Sequence, residues 1–348
     1  MKTNKQNADF LHIGTALLSW YKTESRSLPW RENITPYNIW ISEIILQQTQ
    51  VAQGRAYYLN FLKVFPTADA LHKAETDEVL LLWKGLGYYS RALNLHKASQ
   101  QIMVDYNGVF PNNYHEILKL KGVGKYTAAA IASICFGEKI PAVDGNFYRV
   151  LSRIFADDFD ISKSTAFAHF SELALRIMPE EKPGDFNQAM MDLGAEICKP
   201  KNPKCDICPV DHYCEAYKLR KVSEFPVKSK KIKAANLHLQ YYLVQYNDRV
   251  LIRQRDEDFI WKKLYEFCTD IPAELKIFIT DTQTIKHQLT HKKLTIDIHH
   301  VMLQNEIDFQ NLATTGNYLV ADFSLLNGKS FPKPLENYLK TNIFSRFL

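Results

Sequence analysis

The chain has 348 residues, of which 46% are hydrophobic and 23% charged, so it has room for two or three domains and is too apolar for a disordered protein. Its 43 basic and 38 acidic residues give a net charge of +5, which permits a polyanionic partner without requiring one. The first ten residues lack the apolar core of a signal peptide, and no apolar run is long enough to span a bilayer. We therefore expect a soluble, cytoplasmic protein.

The N-terminal part of the chain has a helical pattern. Apolar residues recur at spacings of three and four over residues 11–20, 36–51 and 77–83, which predicts amphipathic helices. Glycines and prolines fall mostly between such segments, where they end helices. The pattern predicts a helical region from residue 8 to residue 215.

Glu43 lies in the most apolar of these predicted helices. Its helical neighbours at minus four and plus three are Ile39 and Leu46. Desolvation among such neighbours raises the pKa of a carboxyl group, as suits a general acid. The alternative is an exposed helix position, and the apolar neighbours argue against it.

A pair of glycines separates two predicted helices, at residues 114–120 and 128–136. Glycine allows a tight turn, and the backbone N–H groups near the following helix N-terminus can bind phosphate without reading a base. The sequence predicts a helix-hairpin-helix, although an ordinary helix–helix turn is the alternative. The hairpin consists of Gly122, Val123, Gly124 and Lys125.

Asp144 follows the hairpin by about twenty residues and directly precedes a predicted helix at residues 147–155. Taken alone, this position is typical of a helix N-cap, and a catalytic role can coexist with capping. Together with Glu43 it provides two carboxylates with opposite pKa requirements. Such a pair suits bond cleavage through a cationic sugar, in which one group protonates the leaving group and the other stays ionised.

Four cysteines lie within residues 198–214, with the spacing C-x6-C-x2-C-x5-C. They are Cys198, Cys205, Cys208 and Cys214. Such a cluster in a chain without a secretory signal predicts metal binding rather than disulfides. Four-cysteine zinc sites are common, but zinc ribbons usually present two C-x-x-C pairs and only one is present here. The spacing therefore modestly favours [4Fe–4S], and zinc stays open. The loop also carries lysines that could meet a phosphate backbone.

The C-terminal part of the chain has a different pattern. Seven Lys or Arg residues against one acid at residues 218–233 predict an exposed linker. Strands are predicted at residues 237–246 and 249–255, joined by a turn at Asn247 and Asp248, and again at 285–289 and 294–303. With a closing helix at residues 334–344, this predicts an α+β domain of about 110 residues.

The order of hairpin, aspartate and cysteine loop resembles the endonuclease III superfamily of DNA glycosylases. Shorter motifs resemble the MutY-type adenine DNA glycosylases more closely. They are LPWR from residue 28, SE from 42, LQQTQV from 46, GLGYYSR from 85, VDGN from 143 and FNQAMMDLG from 186. The resemblance is dense over residues 8–215.

The resemblance implies a mainly α, bilobal helix-hairpin-helix glycosylase with a [4Fe–4S] domain and a C-terminal α+β MutT/Nudix-like domain. The catalytic region would span residues 1–217, with a six-helix domain at about 25–138 and an iron–sulfur domain at about 1–24 and 139–217. A basic linker at 218–236 would let the MutT-like domain, 237–348, close over the other side of the duplex. The helix at about residues 8–24 would pack on the iron–sulfur half.

The resemblance also implies the reaction. The family excises adenine mispaired with 8-oxoguanine or guanine in double-stranded DNA, during base excision repair. Glu43 would protonate the five-membered ring of the leaving adenine and later assist the attacking water. Asp144, with Asn146 beside it, would stabilise the oxocarbenium ion, directly or through a covalent sugar intermediate. The protein would act as a monomer on the nucleoid of a bacterium.

Further site residues follow from the same resemblance. An adenine pocket would be lined by Arg26, Leu28, Trp30, Arg31 and Gln188. Gln48, Thr49 and Tyr88 would contact DNA, with Gln48 and Tyr88 filling the gap that the extruded base leaves, although helix-end packing is the plain alternative for these two.

Tyr126 occupies the position of the catalytic lysine in bifunctional relatives, two residues after the second hairpin glycine. A phenol cannot form a Schiff base with a sugar, and Lys125 lies on a different helix face. We therefore predict a monofunctional glycosylase.

The family's Phe-Ser-His loop for 8-oxoguanine corresponds to Leu289, Thr290 and His291. Leucine replaces the aromatic residue, and His287 permits another register, so a β-turn with a surface histidine is the alternative. The domain lacks the glutamate pattern of a Nudix hydrolase, and we expect no Mg²⁺-dependent nucleotide hydrolysis.

Two other functions are compatible with the fold. Removal of oxidised pyrimidines is one, and Tyr126 and the extra C-terminal domain argue against it. A DNA-binding or redox iron–sulfur protein without enzymatic activity is the other, and the motifs around Glu43 and Asp144 argue against that.

Overall fold

The computed structural model describes residues 2–229, 235–256 and 259–344, and these form two compact units. The first unit contains residues 2–73 and 94–229, and the second contains residues 74–93 together with the described residues from 235 onwards. The predicted linker, 218–236, includes residues 230–234, which lie outside the described ranges. None of the helices in those ranges combines the length and the apolar character needed to cross a bilayer.

The chain as far as residue 218 is helical, as the sequence predicted. In chain order its helices are α1 Lys2–Glu24, α2 Pro29–Glu32, α3 Pro36–Leu46, α4 Val51–Val64, α5 Ala68–Lys73, α6 Thr76–Leu82, α7 Ser90–Asp105, α8 Tyr114–Ile117, α9 Lys125–Phe136, α10 Gly145–Phe155, α11 Ala166–Ile177, α12 Pro183–Glu196 and α13 Glu215–Lys218.

The apolar faces of α1, α10, α11 and α12 form one core of the first unit. Ile13 and Leu17 of α1 pack there with Phe147, Phe170 and Phe186, all of them almost completely buried. Burying side chains of this size removes much apolar surface from water and fixes the helices against one another. The N-terminus of α10, next to Asp144, is held in place by this packing.

The structure corrects the prediction of one continuous helix at residues 36–51. Helix α3 ends at Leu46 and α4 begins at Val51. Between them Gln48 has a φ of 55°, in the left-handed region, which a right-handed helix cannot include. Residues 47–50 are all polar, and apolar residues resume at Val51 with helical spacing from Leu46. The spacing of apolar residues therefore gives no sign of the break between α3 and α4.

The glycine hairpin joins α8 to α9, and α9 begins at Lys125, three residues before the predicted start. Gly122 has a φ of 78°, and a Cβ atom there would lie 2.5 Å from the Cβ of Asn94. Only glycine satisfies both constraints. The turn therefore brings the backbone before α9 close to α7.

Residues 218–229 are anchored to the first unit, although most of their side chains are exposed as predicted. The guanidinium of Arg153 donates to the carbonyl oxygens of Val222 and Phe225, at 3.1 and 3.2 Å. The carboxylate of Asp160 accepts hydrogen bonds from the backbone and hydroxyl of Ser229. This part of the predicted linker is therefore bound to the surface of the first unit and is not a freely solvated tether.

The C-terminal part of the chain forms a mixed six-stranded sheet with helices, so the predicted α+β class is confirmed. Its elements are β1 Ala235–Tyr246, β2 Arg249–Gln254, β3 Tyr265–Glu266, β4 Ile279–Gln288, β5 Lys292–Met302, α14 Glu306–Thr315, β6 Leu319–Asp322, α15 Phe323–Asn327 and α16 Lys333–Asn342. The strand order is β3-β2-β1-β5-β4, with β6 also paired to β2. Only β1 and β5 are parallel among these pairs.

Successive side chains of a strand point to opposite faces of the sheet, and a hydrophobic core covers each face. Tyr241 and Leu243 point into a core with Leu335 of α16, whereas Val244 points into a second core with Phe309 of α14. The predicted strand pairs and closing helix are present, whereas β3, β6, α14 and α15 were not predicted. The turn between β1 and β2 has Asn247 at φ 54°, which asparagine tolerates.

Candidate active site

A cavity of about 470 Å³ in the first unit collects most of the predicted catalytic and pocket residues. The predicted residues that line it are Arg26, Leu28, Trp30, Arg31, Glu43, Gln48, Tyr126, Asp144 and Gln188. These residues come from distant parts of the chain, which the helices bring together. Sequence reasoning missed other lining residues, notably Met191 and Gln47, although both lie inside the motifs quoted above.

Glu43 is the buried carboxyl group of this cavity, with 8% of its surface exposed. Burial raises its pKa to about 7, and the negative charge of Asp144 acts in the same direction. A hydrogen bond from Tyr126 and the charge of Arg31 oppose the rise. The direction agrees with the apolar neighbours in the sequence, and a group with this pKa can give and take a proton near neutral pH.

Tyr126 lies in the first turn of α9 beside Glu43. Burial and the neighbouring carboxylates raise the pKa of its phenol well above 10, so it stays protonated. It is therefore a hydrogen-bond donor to Glu43. The sulfur of Met191 lies 3.6 Å from the same hydroxyl.

Asp144 caps α10, so the N-cap role that the sequence indicated is present. One carboxylate oxygen accepts from the backbone N–H groups of Asn146 and Phe147, both at 2.9 Å. The other accepts from the side-chain amide of Asn146 at 2.8 Å. Burial raises the pKa of Asp144, and these three donors and Arg149 oppose that rise. Because these contacts are all N–H donors, the site is built for the ionised carboxylate.

Asn146 and Arg149 connect Asp144 to the cysteine loop. Arg149 donates to the side-chain oxygen of Asn146 at 2.8 Å and to the carbonyl oxygens of Gly194 and Cys198 at 2.8 and 2.7 Å. A Cβ atom at Gly194 would lie 2.6 Å from the Cβ of Asn146, so glycine is required for this approach. No sequence signal pointed to Arg149 beyond its place in the helix after Asp144.

Asp192 is a second residue that sequence reasoning missed, and it holds both arginines of the predicted adenine pocket. Its side chain is fully buried and pairs with Arg26 and Arg31, with N–O distances of 2.5 and 2.7 Å. Although burial opposes it, these ion pairs lower the pKa of Asp192. The signal was available, since Asp192 lies one helical turn after Gln188 in the motif from residue 186.

The four cysteines of the loop suit a cationic centre. All four cysteines are partly buried. Burial and the negative charge of a neighbouring cysteine thiolate raise the pKa of Cys205, Cys208 and Cys214. Burial raises the pKa of Cys208 to about 12 and that of Cys214 to about 11, so thiolates need a positive centre to form. The buried guanidinium of Arg153 lies 3.3 Å from the sulfur of Cys198 and binds the carbonyl of Lys199. The donor set and its surroundings fit an iron–sulfur cluster.

The predicted phosphate-binding hairpin presents a helix N-terminus. Gly124 is the N-cap residue of α9 and has no side chain that could cap the backbone N–H groups at the start of the helix. Lys125 is exposed, and its ammonium group lies 5.1 Å from the centre of the Phe167 ring. In the cysteine loop Lys201 and Lys204 are also exposed. These groups offer positive charge and backbone donors to a phosphate.

Gln48 and Tyr88 share an uncommon backbone conformation, with φ values of 55° and 48°. Non-glycine residues rarely adopt this region, and such strain concentrates at functional sites. Both side chains are exposed, whereas Thr49 next to Gln48 is partly buried. Gln48 lines the cavity of the first unit, and Tyr88 belongs to the second unit.

Leu289, Thr290 and His291 form the turn between β4 and β5. The backbone N–H of Leu289 bonds to the carbonyl of Lys292 at 2.8 Å, and the Leu289 side chain packs on the sheet core. Thr290 and His291 are exposed. The hydroxyl of Thr290 makes a short hydrogen bond with the hydroxyl of Tyr88, so the second unit brings two of the predicted DNA-contacting residues together.

Three family models match the chain. The model described as HhH-GPD superfamily base excision DNA repair protein matches residues 41–174, and a NUDIX domain model matches residues 240–341. The iron–sulfur binding domain of endonuclease III matches residues 198–214, which decides between zinc and iron–sulfur in favour of a [4Fe–4S] cluster.

Curated relatives match this chain over 60% to 93% of its length. An adenine DNA glycosylase of Buchnera aphidicola subsp. Schizaphis graminum is 34% identical over 337 residues, which cover 93% of this chain and 96% of the relative. An adenine DNA glycosylase of Rattus norvegicus is 42% identical over 219 residues, or 60% of this chain and 42% of the relative.

Solved structures match somewhat less than two thirds of the chain. A thermostable thymine-DNA glycosylase has a TM-score of 0.56 and 32% identity, over 63% of this chain and all of that one. Endonuclease III in a non-covalent complex with DNA has a TM-score of 0.53 and 23% identity, over 62% of this chain and 97% of that one, and shares the fold.

Proposed function

The chain belongs to the adenine DNA glycosylases of the HhH-GPD superfamily, which hydrolyse the N-glycosidic bond of adenine in base excision repair, and from this premise we propose that its substrate is adenine mispaired with 8-oxoguanine or guanine. One observation carries the catalytic part, namely that Glu43 and Asp144 line a single cavity. Burial raises the pKa of both carboxyl groups, but three N–H hydrogen bonds oppose this rise at Asp144, whereas at Glu43 the opposing hydrogen bond comes from Tyr126.

Glu43 acts as the general acid. Its pKa of about 7 leaves a protonated fraction at neutral pH, and the hydrogen bond from Tyr126 orients the carboxyl group. Proton transfer to a nitrogen of the five-membered ring lets adenine leave as a neutral base. The carboxylate that remains then takes a proton from the attacking water.

Asp144 acts as the ionised partner. The N–H donors on both of its oxygens fix the carboxylate in place, so it faces the sugar cation without reorganising. It stabilises the oxocarbenium ion either by its charge or by forming a covalent bond to the sugar. Asn146 is the residue that holds the second oxygen.

The extruded adenine occupies the cavity between apolar and polar groups. Leu28 and Trp30, which are both buried, provide surface against the purine faces. Arg26, Arg31 and Gln188 provide hydrogen bonds to its edge. Gln48 and Tyr88 insert into the duplex and offset part of the unstacking energy.

The reaction stops at the abasic site. A lyase needs an amine that attacks the sugar, and the phenol of Tyr126 stays protonated beside Glu43. We propose a monofunctional enzyme on this ground.

The second unit recognises the base opposite adenine. Thr290 offers a hydroxyl beside that of Tyr88, and His291 lies exposed on the same turn. Hydrogen-bonding groups that meet the added oxygen and N–H of 8-oxoguanine would be left unpaired by guanine, which is the physical basis for discrimination.

The cysteine loop supports DNA binding rather than the chemical step. Cys198, Cys205, Cys208 and Cys214 hold the [4Fe–4S] cluster, which cross-links the loop when bound. The fixed loop then presents its exposed lysines to the phosphate backbone, as the hairpin at residues 122–125 presents its N–H groups. We propose a monomer with a catalytic region to residue 217, a linker to 236 and a recognition domain to 348.

The proposal is tested by single-turnover cleavage of duplexes that carry adenine opposite 8-oxoguanine, guanine or thymine. We expect scission of the adenine strand only after hot alkali, fastest opposite 8-oxoguanine and slowest opposite thymine. Scission without alkali would overturn the monofunctional assignment. Equal rates opposite 8-oxoguanine and guanine would overturn the proposed mispair specificity.

A further inference from the structure

Residues 74–93 lie between helical segments of the first unit in sequence, yet they belong to the second unit. They contain α6, the strained turn at Tyr88 and the start of α7. Several contacts tie this segment to the C-terminal domain, and the first of them is made by the side chain of Asp77, in the first turn of α6.

Asp77 accepts three hydrogen bonds from the C-terminal domain. One oxygen accepts from the amide of Gln254 at 3.0 Å, and the other accepts from the hydroxyl of Tyr265 and the ammonium of Lys329, both at 2.9 Å. The donors come from β2, β3 and the turn before α16. Gln254 is itself held by the carbonyl of Lys263, and the ammonium of Lys329 lies 4.7 Å from the centre of the Tyr265 ring. The carboxylate thus meets a preformed set of donors.

A second contact lies just beyond the C-terminal end of α6, where Lys84 forms an ion pair with the C-terminal domain. The ammonium of Lys84 lies 3.4 Å from the carboxylate of Glu336 in α16, which also pairs with Lys340. Helix α6 is therefore attached at both ends. An isolated helix of seven residues is unstable in water, so its position depends on such tertiary contacts.

The turn that carries Tyr88 is braced against α6. The indole N–H of Trp83 donates to the carbonyl of Gly87 at 3.1 Å, and the guanidinium of Arg91 donates to the same oxygen at 3.1 Å. That guanidinium also lies over the rings of Trp83 and Tyr88, 5.2 and 5.7 Å from their centres. A shift of α6 must therefore move Tyr88, whose hydroxyl contacts Thr290.

We propose that Asp77 is a positioning residue for recognition of the base opposite adenine. It acts by holding Tyr88 against Thr290, without touching DNA itself. This inference rests on the proposed function, because it assigns the Tyr88–Thr290 pair to the reading of 8-oxoguanine. It adds a specificity determinant outside the adenine cavity and outside the turn at residues 289–291.

The test compares Asp77→Ala with the matched control Asp69→Ala in the full-length, cluster-loaded enzyme. Asp69 is a partly exposed helical acid whose ion pair is with Lys73 of its own helix. The readout is the ratio of single-turnover rates for adenine opposite 8-oxoguanine and opposite guanine. We expect Asp77→Ala to lower this ratio by about tenfold, the effect of one hydrogen bond to a charged group, and Asp69→Ala to leave it unchanged.

A mutant cycle separates positioning from general support. If Asp77 acts through Tyr88, the double variant Asp77→Ala with Tyr88→Phe lowers the ratio no further than the more affected single variant. Additive losses, or equal losses on both duplexes, would overturn the proposal. So would an unchanged ratio accompanied by a lower melting temperature, which indicates a structural role alone.

Hydrogen exchange gives a readout that does not depend on activity. Asp77→Ala should speed amide exchange in residues 83–91, whereas Asp69→Ala should not. Unchanged exchange there would overturn the positioning role. If the wild type shows no preference for 8-oxoguanine, the proposed function fails, and the exchange result still decides whether Asp77 holds the Tyr88 turn.

Discussion

Glu43 and Asp144 are carboxyl groups of one cavity that meet different surroundings. Glu43 is buried among apolar groups with one hydrogen-bond donor, whereas both oxygens of Asp144 accept N–H groups. In the proposed mechanism, local contacts rather than residue type distinguish the acid from the ionised partner. Each assignment leads to a measurable prediction.

The raised pKa of Glu43 predicts a loss of stability at high pH. The pKa of Glu43 is 4.5 in the unfolded chain and about 7 in the folded protein, so the folded protein binds this proton more tightly. The free energy of unfolding therefore falls as the pH rises from about 4.5 to about 7. Above about pH 7 this group lowers the free energy of unfolding by roughly 3 kcal/mol, the full effect of its raised pKa. Glu43→Gln should therefore abolish excision yet raise the melting temperature at pH 8, with little change at pH 5. An equal change at both pH values would contradict the assignment.

Asp144→Asn should bind DNA and lose catalysis. Asparagine is as good an N-cap as aspartate, so α10 should still form. The amide cannot provide the negative charge for the sugar cation, and we expect at least a 10²-fold lower single-turnover rate, the effect of losing one electrostatic contact to a transition state. Binding is measured by gel shift on the mispaired duplex. Turnover within a factor of a few of wild type would refute the role.

Asp192→Asn should disorganise the adenine pocket. The change leaves Arg26 and Arg31 without their buried counter-charge, which costs roughly 3 kcal/mol in such settings. We expect a lower denaturation midpoint and weaker capture of adenine. Asp185→Asn, on the same helix with an exposed and loose ion pair to Lys182, is the control and should change stability little.

At the scale of elements, the helix after the hairpin carries a second test of the chemistry. Tyr126→Lys would place an amine in the first turn of α9, next to Glu43. An amine there can attack the sugar and form a Schiff base. We expect borohydride to trap a covalent adduct with mispaired DNA. Lys125 serves as the internal control, since the wild type already carries it and should give no adduct.

Helices α1, α6 and α10 were predicted because their apolar residues repeat with the helical period. The prediction for residues 36–51 was wrong because the spacing runs on through Gln48, whose left-handed conformation depends on tertiary context. Strand β3 has two residues and α15 has five, too few to show a period. Helix α14 is longer, but its apolar side chains are spread among polar ones, so its pattern was not recognised.

Site residues that lie in a recognisable sequence motif could be predicted. Residues whose role depends on a contact in the folded protein could not. Glu43 and Asp144 could be proposed from their neighbours in sequence. Asp192 lies in a quoted motif, but no spacing rule links it to Arg26, Arg149 to Cys198, or Asp77 to Lys329. Their partners become visible only in the folded protein.

At the scale of the whole molecule, the residues proposed to recognise the mispair belong to two compact units. If the turn at residues 289–291 reads 8-oxoguanine, then Thr290→Ala with His291→Ala should erode the preference for 8-oxoguanine over guanine. We expect a loss of about tenfold in the ratio of rates, since two hydrogen-bonding groups are removed. An unchanged ratio would show that another register, for example one centred on His287, carries the recognition.

The second unit is assembled from two stretches of chain that are far apart in the gene. A C-terminal domain acquired by fusion would therefore not function unless residues 74–93 already suited it. Asp77 and its partners Gln254, Tyr265 and Lys329 should then be inherited together. We expect these four positions to covary among relatives with this domain and to drift independently in glycosylases that lack it.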